Sequence, residues 1–464
     1  AKLPLPIGVS DFKELVSGYY YVDKTLMLKE FIDFKPKVSL FTRPRRFGKS
    51  MAANMLVAYY SRNCDSKELF SSLAIADTPD FEDHLNKYNV IHLDMTRFAS
   101  KAPDVKGMID RLELTLKQEL SELCADISYP DFYSSDEILT LIYNKHRIPF
   151  VFIIDEWDCV FRIHKNDTEG QTAYLDYLKI LLKDRPYVAL DYATGILPVK
   201  KYGQHSALNM YCEYSIIDAE PFAEYMGFTE SEVQGLCCRF DMPFDEMKGW
   251  YNGYHVGDTS IYNPQSVVNA CLRKRFSNYW TKTETFEALK IYIQLDMDGL
   301  RNDIIRMIAG EQVSVNTNKF QNDMVTMNSA DDVITLLIHL GYLTYNYEKN
   351  VAWIPDKEVR QEFINCIEDG GWEEVMNSLR RSDELLKATL SGDSDTVAKI
   401  LEEVHQQNTS IISYNNELSL SVTLALAYYS AKNSYEIFRE FPSGKGFADL
   451  TFIPRRGVDF PAMV

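Results

Sequence analysis

The sequence predicts an α/β protein that begins with a parallel sheet covered by helices on both faces. Short apolar runs alternate with amphipathic stretches through the first half of the chain, and this alternation is typical of strands separated by helices. The chain has 464 residues, of which 46% are hydrophobic and 25% are charged. This is the composition of a folded globular protein, and at roughly 150 residues per domain we expect about three domains.

The strands of the predicted sheet are the apolar runs at residues 38–42, 90–94, 150–155 and 188–194. Between the second and third runs, methionine and leucine recur every three or four residues from Met108 to Leu123. This spacing predicts an amphipathic helix over 105–124. Helices that connect successive strands allow the strands to run parallel.

A change of pattern near Pro221 predicts a helical accessory region. Thr229 and Glu232 have the spacing of a capping box, and no buried parallel strand is predicted for about a hundred residues. Further on, the pattern predicts a helix at residues 332–340. A hairpin follows, with strands at 341–347 and 351–354, and then a second helix. This order resembles a winged-helix unit, and a plain α+β connection is the open alternative.

The last part of the chain predicts a small α/β domain. Its predicted helices are at 396–407 and 418–431, and its predicted strands are at 435–440, 447–453 and 461–464. The domain boundaries that we predict are therefore 1–225, 226–380 and 381–464.

Charge and cysteine usage exclude several classes of protein. The formal net charge is −18, so the surface as a whole repels nucleic acid and anionic membranes. The eight cysteines include no C-x-x-C pair, which predicts reduced thiols. No apolar run approaches the length of a membrane-spanning helix, and no secretory leader is recognisable. These features predict a cytoplasmic protein.

Residues 43–50 read R-P-R-R-F-G-K-S and join the first predicted strand to an apolar helix. This context favours a phosphate-binding loop, because backbone N–H groups and a helix N-terminus converge there. Lys49 would neutralise the β- and γ-phosphates, Ser50 would bind Mg²⁺, and Gly48 would permit close backbone approach. Arg43 stands where the common pattern has its first glycine, and an ordinary helix start is the alternative interpretation.

Asp155 and Glu156 follow the apolar strand at 150–154, at the edge where open α/β sheets bind ligands. We predict that Asp155 holds Mg²⁺ and that Glu156 polarises the attacking water. Thr194, at the end of the fourth strand, is a candidate sensor of the γ-phosphate or a hydroxyl in a tight turn.

The arginines of the predicted loop are further candidates. Arg45 and Arg46, like Arg43, could hold the triphosphate or pair with nearby carboxylates. Lys200 and Lys201 are weak candidates for a residue that acts on another subunit.

The chain resembles the AAA-ATPase-like proteins, which are similar to archaeal-type P-loop ATPases. The matching segments are I-G-V-S-D-F at 7–12, Y-Y-V-D-K-T at 20–25, R-P-R-R-F-G-K-S at 43–50, F-I-I-D-E-W-D at 152–158, W-Y-N-G-Y at 250–254 and Y-N-P at 262–264. The resemblance implies that Arg43 is normal for this group and that residues 43–50, including Phe47, form the ATP site. It also implies a signature of Tyr21, Asp23 and Lys24 near that site.

Members of this family commonly carry a C-terminal nuclease-like domain of the PD-(D/E)xK type. The resemblance implies that Glu417 and Asp449 would be metal-binding carboxylates. Phe447 stands where the family often has arginine, and the predicted strand at 461–464 ends before the expected E-x-K. We therefore expect the nuclease site to be incomplete in this chain.

The sequence thus predicts Mg²⁺-dependent ATP binding and hydrolysis, coupled to a nuclease-like, nucleic-acid-directed module. The alternative is a nucleotide-gated module that binds DNA or protein without appreciable catalysis. The candidate DNA contacts are Arg273–Arg275 and Arg455–Arg456, and solvated surface is the more common role of such short basic runs. We also predict a protein partner or a homo-oligomer, and no association with a membrane.

Overall fold

A computed structural model describes residues 3–199, 209–280, 286–295, 297, 299–321, 327–370, 372–408, 417–443 and 446–464. The chain forms two compact units. Unit 1 comprises Ala1–Trp280 and Asn316–Asn350, and unit 2 comprises Thr281–Val315 and Val351–Val464. The three-part division at 225 and 380 stays a prediction.

The helices, in chain order, are α1 (Phe12–Gly18), α2 (Leu26–Phe34), α3 (Lys49–Tyr60), α4 (Lys67–Phe70), α5 (Phe81–His84), α6 (Met95–Ala99), α7 (Val105–Leu123), α8 (Ser135–His146), α9 (Cys159–Ile163), α10 (Thr168–Leu182), α11 (Glu230–Phe240), α12 (Phe244–Tyr251), α13 (Pro264–Arg273), α14 (Phe286–Ile293), α15 (Leu300–Ile308), α16 (Ala330–Leu340), α17 (Lys357–Asp369), α18 (Glu373–Ser391), α19 (Ser394–Asn408) and α20 (Glu417–Ala427). The strands are β1 (Val38–Thr42), β2 (Asn89–Asp94), β3 (Phe150–Asp155), β4 (Val188–Gly195), β5 (Cys212–Tyr214), β6 (Phe228–Thr229), β7 (Asn252–Val256), β8 (Thr259–Tyr262), β9 (Val313–Ser314), β10 (Thr344–Asn346), β11 (Val351–Trp353), β12 (Tyr435–Ser443) and β13 (Gly446–Pro454).

The main sheet of unit 1 has the order β2-β3-β4-β1-β5. Each neighbouring pair is parallel, which confirms the predicted α/β class. β4 lies between β1 and β3, so the ends of the predicted phosphate-binding strand and the predicted acidic strand are separated by one strand. The sequence missed β5, because this three-residue strand lies at the sheet edge and offers no apolar run.

Alternating residues of β3 build two cores, one on each face of the sheet. Phe152 packs with the cluster that includes residues of α7, α8 and α10, whereas Ile153 packs with residues of α1, α2 and α3. A strand buried on both faces needs the continuous apolar run that residues 150–154 provide. Helices therefore cover both faces of the sheet, as predicted.

Helix α7 confirms the predicted amphipathic segment. Asp104 caps its N-terminus by accepting a hydrogen bond from the Gly107 N–H at 2.7 Å. The apolar stripe from Met108 to Leu120 is buried, whereas Leu123 at the C-terminus is exposed.

The remainder of unit 1 is less purely helical than the sequence predicts. The capping box at α11 is present, with Thr229 and Glu232 in the expected roles. A small antiparallel sheet of order β6-β8-β7 accompanies α11, α12 and α13. Tyr251 and Tyr254 of the W-Y-N-G-Y segment at 250–254 are buried, so this segment packs into the interior of unit 1.

Elements of the predicted winged-helix unit are present as α16, β10, β11 and α17. One of the three boundaries between the two units falls between β10 and β11. The winged-helix arrangement itself stays a prediction.

In unit 2, β12 and β13 form an antiparallel pair. The predicted strand at 461–464 is wrong, since only an isolated bridge joins Met463 to Phe452. The segment offers few residues for a ladder because Pro461 has no N–H to donate. Helix α20 ends at Ala427, and a 3₁₀ turn covers Tyr429–Asn433. No helix within the described ranges is long and apolar enough to cross a bilayer.

Candidate functional site

The loop between β1 and α3 brings a helix N-terminus to the carboxyl edge of the parallel sheet. Gly48 is the N-cap of α3 and has a φ of 93°. A Cβ at this position would meet nothing within 4 Å, so backbone conformation rather than space favours glycine here. The N–H groups at the start of α3 point out of the helix and form a site suited to an anion.

Lys49 lies at the base of this loop. Its side chain is buried, and Nζ donates hydrogen bonds to the Arg43 carbonyl at 2.8 Å and the Pro44 carbonyl at 2.9 Å. Burial lowers the pKa of Lys49, and the Glu156 carboxylate opposes this effect. The ammonium has three donors, so these two bonds leave one donor for a phosphate oxygen.

The other predicted residues of the site come from α3, from the end of β3 and from β4. The Ser50 hydroxyl donates to Asp155 Oδ2 at 2.8 Å, and the Thr194 hydroxyl donates to Asp155 Oδ1. The Glu156 N–H donates to Thr194 Oγ1 at 3.3 Å. The structure thus brings Ser50, Asp155, Glu156 and Thr194 together.

These contacts meet the requirements of a Mg²⁺ site. A hydroxyl and a carboxylate, from Ser50 and Asp155, already share a hydrogen bond, and both are hard oxygen ligands that Mg²⁺ prefers. The ion commonly takes only one or two protein oxygens besides phosphate and water. The donor set therefore fits the cofactor that the sequence predicts.

A network behind Glu156 was missed by the sequence analysis. Arg162 forms an ion pair with the Glu156 carboxylate and a second contact, of 3.5 Å, with Asp158 Oδ1. Asp158 is fully buried, and its Oδ2 accepts hydrogen bonds from the Ile196 and Leu197 N–H groups at 3.0 and 2.8 Å. Burial lowers the pKa of Arg162, but the two carboxylates outweigh it and raise that pKa overall.

The spacing of Asp158 and Arg162 was the signal available in the sequence. The two residues are four apart, as on one face of a helix. The backbone of Glu156 has a φ of 57°, which is uncommon for a non-glycine residue and is frequent at functional sites.

The predicted arginines occupy different environments. Arg43 is buried and donates to the carbonyls of Thr42 and Tyr214 at 2.9 and 3.0 Å. Burial lowers its pKa to about 10. Arg45 is half-buried and Arg46 is exposed, with a φ of 71°. The geometry thus places Arg43 as a brace between β1 and β5, and Arg46 beside the loop.

Phe47 is buried and lines the cavity beside the loop. Its ring packs edge-on against Tyr254 with a centroid separation of 5.1 Å. This contact fixes the loop from the side of β7.

A cavity of about 640 Å³ opens beside the loop. Gly48, Lys49 and Ser50 form one wall, and the other walls are mostly apolar, with Ile7 and Val268 among them. Cavities of this size hold small-molecule ligands.

Tyr21 and Lys24 of the signature line the same cavity, and Asp23 lies between them in the sequence. Lys24 donates to both Glu232 carboxylate oxygens, at 2.6 and 2.7 Å, and the Tyr21 hydroxyl accepts from the Lys24 N–H at 3.2 Å. Asp23 accepts from the Thr25 N–H at 2.8 Å and from the Ala74 N–H at 2.7 Å. These residues therefore fix the wall of the cavity to α11 and to the segment after α4.

The structure does not bring the predicted nuclease-like carboxylates together within the described residues. Asp449 lies exposed on β13. Glu417 begins α20, but its side chain lies outside the described part of the chain, as do Lys200 and Lys201. No metal site at Glu417 and Asp449 is built from the described residues.

Comparison with known proteins finds a similarity over the part of the chain that carries the site. Residues 6–204 match the family model AAA-ATPase_like, described as "Predicted AAA-ATPase". The match spans the loop, β3 and β4. Residues 6–204 are therefore similar to AAA-ATPase-like domains.

A curated relative in Azotobacter chroococcum mcd 1, described as an uncharacterized protein in the vnfD 5' region, is 27% identical over 291 residues. The match covers 61% of this chain and 54% of the relative, so it spans about half of the relative's length.

Two solved structures resemble the chain weakly. The Cdc6p structure from Pyrobaculum aerophilum shows 9% identity and a TM-score of 0.24, over 75% of this chain and 93% of that one. The ORC2 structure from Aeropyrum pernix shows 10% identity and a TM-score of 0.30, over 79% and 96%. Similarity at this level supports no argument about function.

Proposed function

We propose that the AAA-ATPase-like domain binds ATP with Mg²⁺ and hydrolyses it at the carboxyl edge of the parallel sheet. The main support is the convergence of Lys49 and Ser50 from one segment with Asp155 and Glu156 from another. The family match over residues 6–204 supports the same activity.

Each of these side chains has a separate part in the proposed reaction. Lys49 and the N–H groups at the start of α3 bind the phosphates. Ser50 and Asp155 would hold Mg²⁺, which when bound supplies positive charge against the phosphate oxygens.

Glu156 accepts a proton from the water that attacks the γ-phosphorus, while Thr194 holds the Glu156 backbone in place. Arg162 and Asp158 orient the Glu156 side chain. Thr194 also contacts Asp155, so one hydroxyl links the two predicted acidic residues of the site.

Turnover is tested with Glu156→Gln. This change keeps the side-chain volume but removes the base, so we expect phosphate release to fall by about 100-fold or more, with ATP affinity within about threefold of wild type. Glu119→Gln, at an exposed position on α7, is the matched control and should keep the wild-type rate.

Absence of phosphate release by the wild-type protein would contradict the hydrolysis proposal and favour the nucleotide-gated binding module. An undiminished rate in Glu156→Gln would show that another group activates the water.

Coupling to a nuclease-like module belongs to the same proposal only as a prediction from the family resemblance. Asp449 is exposed on β13, and no described residue joins it in a metal site. We therefore assign no cleavage step to this chain.

A further inference from the structure

We propose a second metal site, distant from the ATP site, formed by Cys124, Asp126 and His146. One ligand atom from each of these residues lies within 4.8 Å of the others. The chemical class of the ligand is a divalent transition metal of the Zn²⁺ type, since thiolate and imidazole ligands favour such ions over Mg²⁺.

One ligand separation in the cluster matches that of a tetrahedral site. Asp126 Oδ2 and His146 Nε2 are 3.6 Å apart. Two ligands bound to one Zn²⁺ ion at about 2.0–2.3 Å are separated by roughly 3.3–3.8 Å in a tetrahedron. The Cys124 Sγ lies within 4.8 Å of both atoms, so it must move closer by up to about 1 Å to bind the same ion. Water would complete the coordination.

Backbone hydrogen bonds hold the three positions. Cys124 is the C-cap of α7, and its N–H donates to the Leu120 carbonyl at 3.0 Å. A turn follows, in which the Ile127 N–H donates to the Cys124 carbonyl at 3.0 Å. His146 is the last residue of α8. The ligands therefore lie where two helices end, and the C-terminal ends of helices favour a cation.

Lys145 now occupies the place of a cation beside Asp126. Its Nζ lies 2.6 Å from Asp126 Oδ2, and the two side chains are 48% and 52% exposed. Exposed ion pairs contribute little to stability, so a divalent ion can displace the ammonium at small cost. The thiol must also release its proton on binding. Burial raises the pKa of Cys124, which makes the metal compete with that proton.

The site lies at the opposite edge of the sheet from the ATP site. Helix α8 ends shortly before β3 begins at Phe150, whereas Asp155 is at the far end of β3. A six-residue strand spans about 20 Å. The metal would therefore join the ends of α7 and α8 without entering the ATP reaction, and the inference does not rest on the proposed function.

The test is titration of the full chain with Co²⁺, followed by displacement with Zn²⁺. We expect a thiolate-to-Co²⁺ charge-transfer band, intense tetrahedral bands in the visible range, and about one equivalent of metal per chain. Cys124→Ser should abolish the charge-transfer band. Cys238→Ser, at an exposed cysteine elsewhere, is the matched control and should retain it.

Asp126→Asn and His146→Gln provide variants that should fold normally, since both residues are exposed. Each is expected to weaken Co²⁺ binding by about tenfold or more. Retention of the wild-type band in Cys124→Ser, or its absence from the wild-type protein, would overturn the proposal. Unchanged affinity in both the Asp126 and His146 variants would do the same.

Discussion

The residue that most constrains Glu156 is Arg162. Its guanidinium contacts both Glu156 and Asp158, and Asp158 is fixed by two backbone N–H groups that follow β4. The position of the Glu156 carboxylate is therefore tied to the segment after Thr194. Because the contacts of Arg162 are with these two carboxylates rather than with the phosphate-binding loop, we infer that its effect on turnover is separate from ATP affinity.

Arg162→Ala tests this separation. We expect kcat for ATP hydrolysis to fall by about tenfold, while KM changes by less than about threefold, because orientation of the base is lost and phosphate contacts are kept. Arg162→Lys should recover part of kcat, since it restores the charge but not the forked geometry. A large rise in KM with an unchanged kcat would show that Arg162 acts on binding instead.

Asp191 makes a pH-dependent contribution to stability. It is fully buried on β4, and neither carboxylate oxygen has a hydrogen-bond partner among the described residues. Burial raises its pKa well above the usual 3.8. The folded chain thus binds this proton more tightly than the unfolded chain does. Its contribution is fully present below about pH 3.9 and is lost as the pH rises through the folded pKa.

Asp191→Asn removes that titration. Between about pH 3.9 and the folded pKa of Asp191, we expect the free energy of unfolding of the variant to rise relative to that of wild type. The rise should be up to about 1.4 kcal/mol per pH unit. Urea unfolding at pH 6 and pH 8 measures the difference. Asp176→Asn, at an exposed position, is the control and should show no such trend. If the stability difference between Asp191→Asn and wild type were the same at both pH values, Asp191 would not be a protonated carboxyl in the folded chain.

At the scale of elements, the phosphate-binding loop is held by neighbours that are distant in sequence. The Trp280 indole donates to the Arg45 carbonyl at 3.1 Å, and the Tyr254 hydroxyl donates to the Gly341 carbonyl at 2.6 Å. Gly341 has a φ of 90°, and a Cβ there would lie 2.6 Å from Pro44 Cβ. The turn after α16 therefore packs directly against the loop.

Gly341→Ala should disturb the loop as well as the turn. We expect ATP to bind at least about fivefold more weakly and stability to fall by about 2 kcal/mol, because strain and overlap with Pro44 add. Gly392→Ala is the matched control, since its φ is 74° and a Cβ would meet nothing within 4 Å. Gly392→Ala should lower stability without weakening ATP binding. Normal ATP affinity in Gly341→Ala would contradict the role of the turn after α16 in supporting the loop.

The sequence predicts the elements of the central sheet well because each has a strong local signal. Continuous apolar runs predict β1 to β4, and the spacing in α7 predicts its buried face. By contrast, β5 and the sheet of β6, β7 and β8 are short strands whose stability depends on distant neighbours. The contacts of Trp280 and Gly341 with the loop depend on tertiary packing, which periodicity does not report.

The residues of the candidate site likewise differ in how far the sequence predicts them. Lys49, Ser50, Asp155, Glu156 and Thr194 lie directly after apolar strands or at the start of a helix, so their meeting follows from a parallel sheet. The burial of Arg43 depends on β5 and was not predictable.

At the scale of the molecule, the division of the chain into two compact units predicts a local response to nucleotide. Hydrogen exchange with Mg·ATP should slow in peptides of the 43–50 loop and of β3 to α9, because binding stabilises the elements that contact the ligand. Peptides of β12 and β13 in unit 2 should be unchanged. Equal protection throughout the chain would contradict a site built within unit 1.

The central claim is that the loop at 43–50 binds the phosphates of ATP through Lys49. Calorimetry of Mg·ATP binding tests it most directly, with wild type, Lys49→Ala and the exposed-lysine control Lys179→Ala. We predict a Kd in the range of about 1–100 µM for wild type and the control, and a loss of at least about 100-fold in Lys49→Ala. Equal binding by Lys49→Ala, or none by the wild-type protein, would contradict the account.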